Sequence, residues 1–274
     1  MKSAIVFDVD NTLTPPRQAL REEMAHALIN FTRHFVLAAG SDLTLVQDQF
    51  LEPLHKYGFR RELDAFLCNG ASRYHCVFDD RLIIRYTDEF SLRAHLGDAR
   101  FDKLLQLLQT IRESPQLQLP STIEIVGSQI INRGSMLNFA PSGRPRGALS
   151  ELAQQSRNQF VEFDRSTGYR RQLLTWLRAE INRILPGNDL AISLGGETSF
   201  DIVVRGREKT YPVRTLLNEG YDKVTYVGDA LFPGGNDEAV AEFAKSWPNS
   251  DCPIRVVQVN NYEETISLIL NDKL

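Results

Sequence analysis

The stretch Ala4-Ile-Val-Phe-Asp-Val-Asp-Asn-Thr-Leu-Thr14 constrains the fold more than any other part of the chain. A short continuous apolar run, Ala4 to Phe7, is the pattern of a strand buried on both faces. Pro15 and Pro16 end it and force a turn. Residues two apart in an extended chain point the same way, so Asp8 and Asp10 project together. Ligands of open α/β sheets sit at the carboxyl ends of the strands, where this strand delivers two carboxylates. Close like charges repel, which leaves two chemical arrangements. Either Mg²⁺ bridges oxygen ligands there, as at phosphate-handling sites, or one carboxylate is protonated and acts as a general acid. A third reading has no chemistry: Asp and Asn favour turns, and the motif is then a strand-to-turn signal.

Later parts of the chain supply partners. Phe35 to Ala39 is a second apolar run, and Gly40-Ser41-Asp42 follows it ahead of a helical pattern at Leu43, Val46, Phe50 and Leu54. Ser41 is expected at or near that helix's N-cap, where an anion is welcome. Val224 to Val227 is a β-branched and aromatic run ending in Gly228-Asp229, with Pro233-Gly-Gly-Asn-Asp237 as the next loop. Lys209 opens another helical stretch. A buried strand has no reason of its own to end on a charge, so carboxylates after two separate apolar strands favour chemistry over ornament.

The remaining pattern sets the domain organisation. A helix is expected over about 17–33, from Leu20, Met24, Ala27, Leu28 and Phe31. Phe66 to Cys68 is a third strand, and Cys76 to Phe78 with Leu82 to Ile84 reads as a hairpin. This alternation suggests βαβ units and a largely parallel sheet. From about Thr87 it changes to a helix (Phe101 to Leu108), a polar loop (Glu113 to Ser121) and short segments at Thr122–Val126, Ile130–Asn132 and Met136–Phe139. Those segments suggest an antiparallel sheet. Phe160 to Phe163 reads as another strand, and Leu173 to Leu185 as a helix stopped by Pro186-Gly187. The parallel pattern is read as resuming at Leu190. The expected division is a core of 1–86 and 188–274, with 87–187 as an inserted, smaller domain.

Composition narrows the function classes. A net charge of −4 gives no footing for nonspecific contact with nucleic acid or anionic membrane. The chain has 3 cysteines and no C-x-x-C spacing, so a disulfide framework or zinc site is not expected, and a reducing, cytoplasmic setting is. No apolar run is long enough to span a bilayer, and the N-terminal segment reads as strand rather than signal peptide.

In order along the chain, the motif after the first strand, the Ser after the second, the Lys and the later Gly-Asp resemble the haloacid dehalogenase-like superfamily with a type IIB cap. The resemblance is closer to the eukaryotic-type phosphomannomutases. It is carried by Phe7-Asp-Val-Asp-Asn-Thr-Leu-Thr-Pro-Pro-Arg-Gln18, Met136-Leu-Asn-Phe-Ala-Pro-Ser-Gly-Arg144, Leu194-Gly-Gly-Glu-Thr-Ser-Phe-Asp201 and Gly228-Asp-Ala-Leu-Phe-Pro-Gly-Gly-Asn-Asp237. It departs at Asn11, where glycine is usual, and at Ala230, where lysine is common. The resemblance implies an α/β Rossmannoid core with a parallel sheet and an inserted α+β cap with an antiparallel sheet.

It also implies roles. Asp8 is the nucleophile that becomes an aspartyl-phosphate, and Asp10 is the acid/base toward the sugar hydroxyl. Asp8, the backbone carbonyl of Asp10 and Asp229 hold Mg²⁺, while Ser41 and Lys209 contact phosphoryl oxygens. Arg133, Arg144 and Arg157 grip the distal phosphate, Arg17 lies near the active site, and Ser199 and Asp201 lie near sugar hydroxyls. Guanidinium groups bind phosphate bidentately and suit that task; the plain alternative is a solvated charged face. The implied function is interconversion of mannose 6-phosphate and mannose 1-phosphate, with a hexose 1,6-bisphosphate as activator and a homodimer formed through the cap. A Mg²⁺-dependent sugar-phosphate phosphatase is the alternative enzyme, and a sugar-phosphate-binding protein with a silent core is the non-enzymatic one.

Overall fold

The computed structural model describes residues 1–16, 18–88, 90–111, 118–145, 150–248 and 251–274. In chain order the strands are β1 (Ser3–Phe7), β2 (Phe35–Ala38), β3 (Glu62–Leu67), β4 (Ser72–Phe78), β5 (Leu82–Asp88), β6 (Ser128–Asn132), β7 (Leu137–Arg144), β8 (Leu190–Gly195), β9 (Ser199–Val204), β10 (Lys223–Gly228) and β11 (Ile254–Gln258). The helices are α1 (Glu22–Asn30), α2 (Leu43–Val46), α3 (Glu52–Lys56), α4 (Leu92–Leu96), α5 (Asp98–Thr110), α6 (Glu151–Thr167), α7 (Tyr169–Ile184), α8 (Thr210–Asn218), α9 (Glu238–Lys245) and α10 (Tyr262–Leu270). A π-helical turn, Gln47–Leu51, joins α2 to α3. The chain forms two compact units, Met1–Glu89 with Gly206–Leu274, and Phe90–Arg205.

The first unit is built on a seven-stranded sheet of order β11-β10-β1-β2-β3-β4-β5. The first five strands in that order pair in parallel, while β3, β4 and β5 are antiparallel neighbours. The apolar runs are explained by burial on both faces. Along β1, Ile5 and Phe7 enter one core, and Ala4 and Val6 enter the other. The first core is closed by Met24 and Leu28 of α1 and Ile269 of α10. The second is closed by Val213 and Leu216 of α8 and Val240 of α9. Helix α1 begins at Glu22, later than the expected 17, because residues 18–21 are still loop. From β1 the chain builds one side through β2 and β3, and later the other side through β10 and β11. The order therefore switches between β1 and β10, and ligands of open α/β sheets bind at such a crevice.

The second unit is α+β, with an antiparallel sheet of order β6-β7-β9-β8. Leu137, Phe139, Ile192, Leu194, Phe200 and Ile202 pack into one core with Phe101, Leu104 and Leu108 of α5, Phe160 of α6, and Leu173 and Leu177 of α7. Three expectations are corrected here. Phe160 to Phe163 is helical, inside α6, which Ser150 caps by accepting from Ala153 N at 3.2 Å. Thr122 to Val126 forms no strand. Leu190 to Val204 does not resume the parallel sheet: β8 and β9 form a hairpin that pairs with β7, so the second unit runs to Arg205 rather than to 187. The physical reason is that Ser199 to Val204 is buried on both faces, which erases the alternation marking an antiparallel strand.

Candidate active site

Asp8 is the first residue after β1, and its amide donates to Val227 O of β10 at 2.9 Å. The sheet hydrogen bonding thus carries the carboxylate to the switch point. Lys209, the residue before α8, is fully buried and donates from Nζ to Asp8 Oδ1 at 2.7 Å. The same ammonium pairs with Asp237 Oδ1 at 2.7 Å. Asp237 is itself buried, accepting from Tyr226 Oη at 2.5 Å and from the amide of Ala230 at 2.9 Å. Gly228 has no room for a side chain, because a Cβ there would collide with the Asp237 carboxylate.

Among the described residues, Asp8, Asp229 and Asp237 bring carboxylate oxygens within 4.8 Å of one another. Burial pushes the Asp8 carboxyl well above the ordinary range; Lys209 opposes that, and Asp237 and Asp229 reinforce it. Burial likewise raises Asp229, opposed by a hydrogen bond from Asn11. Burial acts to lower the Lys209 ammonium, but Asp237 and Asp8 outweigh it and hold the group above the usual lysine range. Three acidic groups around one buried ammonium leave the cluster short of positive charge. All-oxygen donors suit a hard divalent cation, and a cation would relieve the repulsion. The residues present therefore fit a divalent metal.

Asp10 follows a different course. Its carboxylate accepts from Gln49 Nε2 at 2.9 Å, and the same amide reaches Thr14 Oγ1 at 3.1 Å. Gln49 lies on the π-helical turn and is buried. Such turns insert a residue into a helix and often mark functional sites. Ser41 is also buried, just before the N-cap of α2. The cap is Asp42, which accepts from Leu45 N at 3.1 Å, and Ser41 lies one residue before it, near the cap as expected. Among the described residues, buried polar atoms without a protein partner include Thr12 Oγ1 after β1, both side-chain polar atoms of Asn69 after β3, Gln49 Oε1 on the π-helical turn and Asn138 Oδ1 in the second unit. Such atoms need a polar guest.

In the second unit, Asn138, Ser199 and Asp201 form one buried network. Asn138 Nδ2 donates to Ser199 Oγ at 2.9 Å and to Asp201 Oδ1 at 2.7 Å. Ser199 Oγ donates to Gly195 O at 2.7 Å, and Arg144 Nη2 reaches Ser199 Oγ at 3.4 Å. A Cβ on Gly195 would stand 2.8 Å from Asp201 Oδ1, so glycine is required there too. Arg157, on α6, pairs with Glu197 at 2.6 Å. Arg133 sits at the β6–β7 turn, its amide donating to Met136 O at 3.0 Å. The unit thus gathers Arg144, Ser199 and Asp201, ties Arg157 to the β8–β9 turn, and sets Arg133 at the far end of β7 from Arg144. Arg17 lies outside the described residues.

Sequence reasoning missed three functional candidates. Asp237 stood out as an acid close behind Asp229 but was given no role. Gln49 and Asn138 are neutral, and nothing in their local patterns marks them.

The profile described as Eukaryotic phosphomannomutase matches residues 24–247. A phosphomannomutase of Schizosaccharomyces pombe is 30% identical over 242 residues, covering 86% of this chain and 84% of that protein. One of Spinacia oleracea is 29% identical over 245 residues, covering 86% of each. A probable phosphomannomutase of Caenorhabditis elegans is 28% identical over 246 residues, covering 87% of this chain and 86% of that one. Among solved structures, an IMP-bound, N-terminally truncated IMP-nucleotidase of Plasmodium falciparum aligns with TM-score 0.64 at 13% identity, over 98% of this chain and 67% of that one. A trehalose-6-phosphate phosphatase of Aspergillus fumigatus aligns with TM-score 0.52 at 14% identity, over 100% and 93%. At such low identity these two structures speak for the haloacid dehalogenase-like fold alone. Lys209, Asp229 and Asp237 fall inside the matched span, and their geometry draws in Asp8, which precedes it. The profile match, the relatives and the fold agree: the chain belongs to the eukaryotic phosphomannomutase family.

Proposed function

We propose that this protein interconverts mannose 6-phosphate and mannose 1-phosphate through a phosphorylated Asp8. The observation that carries the reading is the buried Asp8–Lys209–Asp237 cluster at the sheet's switch point, in a chain of this family. In the forward half-reaction the Asp8 acyl-phosphate loses its phosphoryl group to the free hydroxyl of mannose 1-phosphate, and Asp10 takes the hydroxyl proton. The product is a hexose 1,6-bisphosphate. It rebinds in the opposite orientation, and an Asp8 carboxylate oxygen attacks the other phosphorus. The P–O bond to the sugar breaks, and Asp10 returns the proton to the leaving oxygen. Splitting the transfer in this way replaces one difficult step with two easier ones. Lys209 and Ser41 steady the phosphoryl oxygens, since phosphoryl transfer asks mainly for positioning and charge neutralisation.

Asp8, Asp229 and the backbone carbonyl of Asp10 would hold Mg²⁺. The metal would supply charge neutralisation between the aspartates and the incoming phosphate. Asp237 serves instead to fix Lys209. Arg133, Arg144 and Arg157 take the distal phosphate, and Ser199 and Asp201 the sugar hydroxyls. The second unit acts as a cap that excludes water from the acyl-phosphate. The assembly is a cytoplasmic homodimer joined through that cap, with a hexose 1,6-bisphosphate as primer.

The test is phosphorus NMR of the protein with mannose 1-phosphate, Mg²⁺ and a hexose bisphosphate primer. The expected result is accumulation of mannose 6-phosphate. Release of inorganic phosphate without mannose 6-phosphate would overturn the mutase reading in favour of a phosphatase.

A further inference from the structure

Asn11 has φ 63°, in the left-handed region that glycine enters without strain and asparagine tolerates better than most residues. Its amide donates to Thr14 O at 2.7 Å, closing the turn after β1. Backbone geometry alone would be met more cheaply by glycine. The carboxamide nevertheless has two partners. Nδ2 donates to Asp229 Oδ2 at 3.0 Å and to the carbonyl of Asn260 at 3.1 Å. The Asn260 loop is itself fixed: its amide and its Nδ2 donate to Glu264 Oε2 at 2.8 and 3.0 Å, and the Val259 amide donates to Gly228 O at 3.1 Å. One side chain therefore ties together the segments that follow β1, β10 and β11, with Asp229 at the middle.

We propose that Asn11 is a positioning residue for the divalent cation, acting through Asp229. By occupying one lone pair of Oδ2, its amide sets the rotamer of the carboxylate and leaves the remaining lone pairs for a metal. It brings no charge, so it orients the ligand without competing for the cation. Groups that orient a ligating carboxylate govern metal affinity almost as strongly as the ligands themselves. The inference rests on the reading that Asp229 is a metal ligand.

The test titrates Mn²⁺ alone into the metal-free full-length chain and follows free Mn²⁺ by electron paramagnetic resonance. It compares wild type with Asn11→Gly and Asp229→Asn, and records metal-free thermal unfolding of each. Asn11→Gly is expected to weaken Mn²⁺ binding about tenfold. Its metal-free melting should stay close to wild type, because glycine accepts the same φ. Asp229→Asn is expected to weaken binding further. If Asp229→Asn weakens binding while Asn11→Gly stays within about twofold of wild type, the positioning role is overturned and the metal reading survives. If Asp229→Asn leaves Mn²⁺ binding unchanged, the metal reading falls and the inference falls with it.

Discussion

The carboxyl edge of the parallel sheet and the polar network of the antiparallel sheet handle buried polarity in opposite ways. At the first, three carboxylates surround one buried ammonium, and Asp8 and Asp229 are held away from their ordinary protonation range. At the second, the neutral amide of Asn138 donates to both Ser199 and Asp201, with arginine at the margin. The first arrangement stores electrostatic tension that a cation would relieve. The second joins its carboxylate to a neutral donor and leaves Asn138 Oδ1 open to a polar guest. The proposed function puts reactive chemistry with the tension, and recognition with the neutral network.

Four substitutions sharpen or break that contrast. Asp8→Asn should lower turnover in both directions by about 10⁴-fold or more, as removal of a nucleophile does elsewhere. Coupled assays of each half-reaction would read it, and substantial residual turnover would place the chemistry elsewhere. Lys209→Met should cost about 3–5 kcal/mol in denaturant unfolding of the metal-free protein, because Asp8 and Asp237 are left buried without their shared counter-charge. Arg144→Ala, at the margin of the neutral network, should leave unfolding nearly unchanged and lower kcat/KM for isomerisation by about 10²-fold, the scale of one lost charge-assisted phosphate contact. Slow hydrolysis of the acyl-phosphate should survive in it. Gln49→Leu removes a single neutral donor from Asp10 and should lower kcat about tenfold with little change in KM. An equal loss for Arg144→Ala in stability and in binding would blur the division between the two regions.

Much of the core was legible in the residues. A run such as Ala4 to Phe7 that ends on Asp8 can be buried on both faces only as an inner strand, and the structure places it between β10 and β2. The acid after β10 was legible for the same reason. What escaped depended on contacts distant in sequence. Asp237 gains its importance from Lys209 and Tyr226, which no local pattern announces. Gln49 faces Asp10 because a π-helical turn shifts the helix register, and periodic apolar spacing does not reveal such a turn. The β8–β9 hairpin was assigned to the wrong sheet because a short apolar run looks alike in either setting once both faces are buried. Asn11 stood out as a departure from glycine, but its link to Asp229 is visible only in three dimensions.

The central claim is that the side chain of Asp8 carries the phosphoryl group between substrates. The direct measurement is to mix the protein with a hexose 1,6-bisphosphate and Mg²⁺, quench in acid, and map the phosphorylated peptide by mass spectrometry. The account predicts a hydroxylamine-labile phosphate on Asp8, absent in Asp8→Asn. A phosphate on any other residue, or turnover with no acyl-phosphate formed, would contradict it.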